Sequence, residues 1–445
     1  MLVNQPMLVN QLMRGHPQRA VVLGANGAMG AGSGAVFAAA GVPTTFLART
    51  RDKAIAGRER AEDMLKSTAI RALIDVGSYD DDLARAVAEA DLILEAVVED
   101  LDAKRAMFEK VDRHRKPDAI VATVSSGLSI AAMCRDRSPG FGRSFLGMHL
   151  YNPPNVIVGC ELIAHPGTDP EVVAAARRFL VERGGREVVE TSDTPAFAGN
   201  RVGFRVLNEV AQLAEEHGVA FMDALIGPHT GRAMAPLQTI DFVGWDVHRA
   251  IVDNLHATTA DEARAAFVLP SYMARLIAAG HLGAKTPDKG GFYRTQGKER
   301  LVLDPKSGSY GPPPRLELPP FVARMRALHR VGRYRDALDV LATAQGPEAD
   351  LARRVVLGYV SYGLGRVGDV VREPRDADRI MGFGFNWAPP GLLADFLGLK
   401  RTVTLLEVAR LPVPRVLVDA AERRHPLFAE PHVDHGRFFF AGGAA

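Results

Sequence analysis

A short apolar run, Ala20-Val21-Val22-Leu23, passes straight into Gly24-Ala25-Asn26-Gly27-Ala28-Met29-Gly30 and on into the alanine-rich stretch Ala31–Ala40. No other feature of the chain constrains its fold as much. A strand that turns on a glycine and feeds a helix is the opening unit of a Rossmann-type α/β domain. Gly24 permits the tight turn, Gly27 lets backbone approach a pyrophosphate, and Gly30 allows the helix to pack on the strand. The first N–H groups of the helix then face the anion. Gly24, Asn26, Gly27, Ala28, Met29 and Gly30 are therefore the candidate dinucleotide contacts. The spacing, Gly-x-x-Gly-x-x-Gly, is one residue longer than the usual fingerprint.

Apolar runs alternate with helical patterns from Ala20 to about Glu190: Thr44–Leu47, Asp91–Ala96, Ile120–Thr123, Phe145–Leu150 and Val156–Ile163 follow the first. This alternation predicts a parallel sheet with crossover helices. After Asp193 the strands are expected to stop, and Arg201–His217 and Tyr272–Ala279 read as amphipathic helices. Residues 300–319, rich in Pro, Gly and Ser, read as a linker. An internal repeat then emerges. Pro236-x4-Asp241-Phe242-Val243-Gly244 recurs as Pro390-x4-Asp395-Phe396-Leu397-Gly398, and Asp223…Gly227 recurs as Asp378…Gly382. The expected organisation is a tail (1–18), a Rossmann domain (19–192), a helical domain (193–299), the linker (300–319) and a second helical copy (320–445).

Composition narrows the class. A chain of 445 residues suggests two or three domains, and a net charge of +2 gives no reason to expect nucleic acid as a partner. The two cysteines, Cys134 and Cys160, make no metal-ligand pattern and fit a reducing compartment, so a cytoplasmic location is expected. The N-terminus lacks the charged start and apolar run of a signal peptide, and no stretch of about 18 apolar residues suggests a membrane span.

Gly147-Met148-His149-Leu150-Tyr151-Asn152-Pro153-Pro154-Asn155 leads into Val156 and on to Glu161. Asn-Pro-Pro-Asn is strong turn chemistry. If the flanking runs pair across it, His149 and Glu161 lie symmetrically about Asn155 and face each other. A histidine held by a carboxylate is a general acid/base unit.

At these residues the chain resembles the L-3-hydroxyacyl-CoA dehydrogenase family, which carries His-Phe-Phe-Asn-Pro with a glutamate twelve residues after the histidine. Further motifs match in order: Glu95-Ala96-Val97-Val98-Glu99 with Lys104, Ser125-Ser126, Asp193-Thr194-Pro195-x-Phe197-x-x-Asn200-Arg201, and Gly280-His281-Leu282-Gly283-x-Lys285 with Gly290-Gly291-Phe292-Tyr293. The likeness spans roughly residues 19–294. It implies NAD- or NADP-dependent oxidation of 3-hydroxyacyl-CoA to 3-ketoacyl-CoA and the reverse, in fatty acid metabolism such as β-oxidation. His149 would be the general acid/base, Glu161 its partner, and Ser125 and Asn200 hydrogen-bond donors to the reacting oxygen. Glu99 and Lys104 join the cofactor contacts; their other reading is an exposed charged pair at a helix start. No metal is implied. Arg58, Arg60, Lys66 and Arg71 read as a solvated helix face, with CoA phosphates as the other reading.

Three departures stand out. Leu150-Tyr151 replaces Phe-Phe. Thr123-Val124 precedes the serines in place of Asn-Thr, and Gly127 is inserted after them. The acidic residue expected at the end of the second strand is absent, with Ala48-Arg49-Thr50-Arg51 in its place. Losing that carboxylate and gaining Arg49 predicts that NADP is admitted. The repeat offset places Arg354 opposite Asn200, so the second copy is expected to pack on the first without a site of its own. That pairing predicts either a monomer with an internal pseudo-dimer or a homodimer. The alternatives are a dehydrogenase of a small hydroxy or sugar acid and a non-catalytic dinucleotide-binding protein. No hydratase segment is visible.

Overall fold

A computed structural model describes residues 15–429 and 433–439. Residues 1–14 of the expected tail lie outside the described residues. The chain divides into two units, Met1–Phe197 and Ala198–Ala445, the second holding both helical segments.

The first unit alternates strand and helix: β1 (Ala20–Leu23), α1 (Ala28–Ala39), β2 (Thr44–Ala48), α2 (Arg51–Leu65), β3 (Ile74–Ser78), α3 (Tyr79–Glu89), β4 (Leu92–Glu95), α4 (Leu101–His114) and β5 (Ile120–Thr123). Two short helices, α5 (Ile130–Cys134) and α6 (Pro139–Ser144), precede β6 (Phe145–Leu150) and β7 (Gly159–Ala164); α7 (Pro170–Glu182) and β8 (Glu187–Ser192) follow. The strands form one sheet in the order β3-β2-β1-β4-β5-β6-β7-β8. It is parallel except at β6–β7, which run antiparallel. Helices cover both faces. Val22 belongs to one apolar cluster and its neighbours Val21 and Leu23 to the other, as the two-residue period of a strand requires. The two strands that the apolar runs did not announce, β3 and β8, are the sheet's edges. Their sequences, Ile-Asp-Val-Gly-Ser and Glu-Val-Val-Glu-Thr-Ser, are buried only in part, so they carry no continuous apolar run. Asp193 closes the unit: it accepts from the N–H groups of Ile130 (2.9 Å) and Ala131 (2.8 Å) and from the Ser129 hydroxyl (3.0 Å).

The second unit opens with α8 (Gly199–His217), α9 (Val219–Leu225), α10 (Pro236–Val243), α11 (Trp245–Thr258) and α12 (Ser271–Ala278). Strands do not stop after Asp193. β9 (Tyr293–Gln296), β10 (Glu299–Leu303) and β11 (Tyr310–Gly311) form a small antiparallel sheet, so much of the expected linker is a hairpin. Its outer residues are polar and exposed, which hid it among turn signals, while Leu301–Leu303 are buried. An 18-residue window within residues 264–285 reaches a mean hydropathy of 1.2, which by composition alone would suit a membrane span. These residues form three short helical pieces, Arg264–Phe267, α12 and Gly283–Lys285, interrupted around Pro270 and Gly280.

The chain continues with α13 (Pro320–Arg330), α14 (Tyr334–Thr343), α15 (Pro347–Gly365), α16 (Pro374–Phe383), α17 (Pro390–Leu397), α18 (Leu399–Val408) and α19 (Arg415–Arg423). The hydrogen bonds of α8–α12 recur here. Asp223 accepts from the Leu237 N–H (2.9 Å) as Asp378 accepts from the Gly391 N–H (2.7 Å). Asp241 accepts from the N–H groups of Phe292 and Tyr293 (2.8 and 2.9 Å), and Asp395 from those of Leu427 and Phe428 (3.0 and 2.9 Å). Gly244 and Gly398 both take positive φ, and so do Gly231 and Asn386, each just before a residue, Arg232 or Trp387, that bridges antiparallel to the other.

The long helices α8 and α15 pack on each other. Asp261 accepts from Arg201 (2.7 Å), Tyr362 (2.7 Å) and Arg366 (3.0 Å), and the Arg201 Nε donates to the Tyr362 hydroxyl (3.1 Å). Both helices are 19 residues long. The offset from Pro236 to Pro390 is nearly kept along them: the Asn208 amide donates to the Val268 carbonyl (2.8 Å), two residues before Pro270, as the Ser361 hydroxyl donates to the Pro412 carbonyl (2.5 Å), two residues before Pro414.

Candidate active site

The turn from β1 to α1 hangs from its neighbours on both sides. The N–H groups of Gly24 and Ala25 donate to the Leu47 carbonyl at the end of β2 (3.0 and 3.1 Å), and the Ala96 N–H beyond β4 donates to the Leu23 carbonyl (2.7 Å). Gly24 has φ 83°, and a Cβ on it would lie 2.3 Å from the Ala96 carbonyl oxygen. A Cβ on Gly30 would lie 2.4 Å from the Gly24 carbonyl oxygen, so glycine is required there for packing. Gly27 differs. A Cβ on it would meet nothing closer than 3.5 Å, so packing does not demand glycine at this position. It caps α1 without a side-chain hydrogen bond, and Asn26 beside it is exposed. An open backbone cradle at a helix start fits a pyrophosphate, which a Cβ at Gly27 would crowd.

Behind the turn, the carboxyl end of β4 carries a buried charged network. Glu95 and Lys104 are both wholly buried, with Lys104 Nζ 2.8 Å and 3.0 Å from the Glu95 oxygens and 3.2 Å from Glu99 Oε2. The Thr123 hydroxyl donates to Glu95 (2.6 Å), and the Ser125 hydroxyl donates to Glu99 (2.6 Å). Burial pushes the Glu95 carboxyl up against the opposing pull of Lys104. Burial also works to raise Glu99, yet the Lys104 ammonium, the Ser125 hydroxyl and the Ser126 N–H together hold it below the usual range. The exposed-pair reading therefore fails for Lys104: its ammonium is a brace shared between two carboxylates. Ser125 is buried with its proton committed to Glu99, and it also accepts from the Leu128 N–H (3.1 Å).

Across the sheet, β6 and β7 pair in the register that sets His149 opposite Glu161. His149 Nδ1 lies 2.7 Å from Glu161 Oε2, with His149 almost buried and Glu161 wholly so. The bond occupies Nδ1 and leaves Nε2 as the nitrogen available for proton transfer. The Tyr151 hydroxyl donates to the same Glu161 oxygen (2.9 Å), and its ring centre lies 4.7 Å from that of His149. Burial first, and then the Glu161 charge, raise the Tyr151 hydroxyl well above its ordinary value, so it remains a donor. The sequence showed Tyr151 only as a replacement for phenylalanine; a lone hydroxyl's target cannot be read from spacing.

The remaining expected residues fall as follows. Arg49 is exposed just beyond β2, and Ala28 and Met29 are half-buried in the first turn of α1. Asn200 is buried in the first turn of α8 and belongs to the second unit. In the short 3-10 turn Ala69–Leu73, Arg71 is not free for a phosphate: it makes a two-pronged pair with Glu62 of α2 (2.8 and 2.6 Å).

Comparison with known proteins bears directly on this arrangement. Residues 19–194 match the 3-hydroxyacyl-CoA dehydrogenase NAD-binding domain, and residues 197–295 match the C-terminal domain of the same family. A probable 3-hydroxyacyl-CoA dehydrogenase of Deinococcus radiodurans is 35% identical over 297 residues, covering 64% of this chain and 84% of that protein. A probable 3-hydroxyacyl-CoA dehydrogenase of Bacillus subtilis is 28% identical over 94% of this chain, which spans 55% of that relative's length. The crystal structure of 3-hydroxybutyryl-CoA dehydrogenase from Escherichia coli K12 shares the fold over 92% of this chain and 99% of its own, with a TM-score of 0.67 at 21% identity. A nucleotide turn and a strand-paired histidine and glutamate, in a chain whose two parts match both domains in order, have one reading: the chain belongs to the 3-hydroxyacyl-CoA dehydrogenase family.

Proposed function

We propose that this protein interconverts 3-hydroxyacyl-CoA and 3-ketoacyl-CoA, with His149 moving the proton. The observation that carries the reading is the 2.7 Å bond from His149 Nδ1 to the buried Glu161 carboxylate, in the sheet that holds the glycine turn. The nicotinamide dinucleotide, held at Gly24–Gly30, supplies the hydride chemistry when bound. His149 Nε2 takes the proton of the 3-hydroxyl in oxidation and returns it to the oxygen in reduction. Glu161 fixes the tautomer and balances the imidazolium, and Tyr151 holds the carboxylate. The family resemblance gives Ser125 and Asn200 the hydrogen bonds to the reacting oxygen. For Ser125 this requires the hydroxyl to turn from Glu99, since its proton is engaged there. Residues 320–445 are a second, degenerate helical copy that pairs with the first and carries no chemistry.

Acetoacetyl-CoA and a longer 3-ketoacyl-CoA, each offered with NADH and with NADPH, test the substrate assignment. Thioester-dependent loss of the reduced-nicotinamide absorbance is expected. Turnover only with free hydroxy or keto acids would move the assignment to a small acid, and no turnover with any of them would remove it.

A further inference from the structure

The edge of the nucleotide site at the end of β2 offers a positive charge where most NAD-preferring sites offer a negative one. β2 ends at Ala48, and the preceding carbonyl, that of Leu47, holds the N–H groups of Gly24 and Ala25. The side chains just beyond Leu47 therefore stand beside the glycine turn, where a dinucleotide's adenosine ribose follows its pyrophosphate. Ala48 is wholly buried and cannot accept a bond from a ribose hydroxyl. Arg49 is exposed, and among the described residues its guanidinium has no hydrogen bond or ion pair. Arg49 and the Gly24 backbone both act on the Tyr79 hydroxyl, so arginine, tyrosine and glycine turn border one corner.

The neighbouring charges are accounted for. Asp82, in the first turn of α3, accepts from the Ser78 N–H (3.1 Å) and from Arg85 (2.9 Å) and feels Arg51 as well. Asp81 accepts from the Ser78 hydroxyl (2.7 Å). Thr50 is spent capping α2 through the Lys53 N–H (3.3 Å). Asp52 and Asp80 are exposed in the first turns of α2 and α3, and Lys53 is exposed beside Asp52. Arg49 and Arg51 both stand at the strand end without a side-chain hydrogen bond or ion pair among the described residues, and Arg49 is the one directly beyond Ala48.

We infer that Arg49 reads the 2′-phosphate of the adenosine ribose, and that the chain prefers NADP(H) to NAD(H). The inference rests on the dinucleotide-dependent reading above. A guanidinium can grip a phosphate with two parallel N–H bonds, and the missing carboxylate removes the repulsion that excludes it.

Equilibrium binding to the full chain, without substrate, separates the possibilities. NADPH and NADH are titrated by nicotinamide fluorescence, and 2′,5′-ADP and 5′-AMP by calorimetry. The expected result is NADPH at least tenfold tighter than NADH, with 2′,5′-ADP tighter than 5′-AMP. R49Q should weaken NADPH at least tenfold more than NADH, and A48D should shift the ratio the same way. Because Ala48 is buried, thermal melting of A48D is checked first, and R49Q, at an exposed position, decides alone if that variant is unfolded. NADH as tight as NADPH, or a ratio that R49Q leaves unchanged, overturns the inference while leaving the dehydrogenase reading in place. Binding of neither cofactor overturns both.

Discussion

At the scale of single residues, the site depends on which atoms share a partner. Glu161 Oε2 receives both His149 Nδ1 and the Tyr151 hydroxyl. His149→Gln removes the proton carrier, and kcat should fall about 10²–10⁴-fold with cofactor binding largely kept. Glu161→Gln leaves the imidazolium without its counter-charge and should be similarly damaging. Tyr151→Phe keeps the ring and removes only one donor, so kcat should fall about tenfold with little change in KM. The His149 Nδ1 proton, freed from a competitor on its acceptor oxygen, should move downfield in the proton spectrum. An unmoved resonance with unchanged kcat would reduce Tyr151 to packing. The lysine brace is tested by stability. Lys104→Met strands two carboxylates, one of them wholly buried, and should cost about 3–5 kcal/mol in denaturant unfolding. A loss below about 1 kcal/mol would show that Glu95 simply takes up a proton and that the network is slack.

At the scale of elements, the buried aspartates of the helical unit act as clamps, and their burial makes them pH-sensitive. Burial raises Asp223 to about 7 in spite of the bonds it accepts from the Leu237 N–H and the Tyr293 hydroxyl. Between about pH 4 and 7 the folded chain holds a proton there that the unfolded chain has released. Stability from this group is therefore fullest below that window and falls as pH rises through it. Buried His229 and His248, both pushed down to about 3 by burial, act in the opposite sense: their contribution is present above about pH 6.5 and lost on acidification. The difference between Asp223→Asn and the parent isolates the aspartate. The unfolding free energy of the variant relative to the parent, read by denaturant titration, should rise from about pH 5 to about pH 8 by an amount on the order of 1–3 kcal/mol. A flat difference would mean that the carboxylate is charged throughout.

How much of this was legible follows from burial. The inner strands β1, β2, β4, β5 and β6 are covered on both faces, so continuous apolar runs announced them; the edges β3 and β8 are half-covered and left no run. The His149–Glu161 pair was legible because a hairpin turns equal spacing about its centre into contact. The bonds that Tyr362 and Arg366 give to Asp261 were not, because they join residues about a hundred positions apart with no motif to mark them.

At the scale of the whole molecule, residues 198–445 form one unit in which α8 and α15 share an interface. Ending the chain at about Gly311 removes α15 and its partners, leaving Arg201 and Asp261 without Tyr362 and Arg366. Gly203, whose Cβ position lies 2.2 Å from the Phe385 ring, would lose that cover. The truncated protein should self-associate or precipitate, read by light scattering against the full chain; a well-behaved monomer would show that the second copy is dispensable to the first. The bridge between Arg232 and Trp387 carries a further meaning. In the proposed duplication the two residues hold equivalent places, and they lie against each other, with the guanidinium 4.8 Å from the indole ring centre. In a dimer of identical chains, a residue on the rotation axis must confront itself, and arginine there would meet arginine. Under the proposed duplication, carrying both copies in one chain frees that position from self-confrontation. One side can be the cation and the other the ring, a complementary pair that a residue facing its own copy across an axis cannot make.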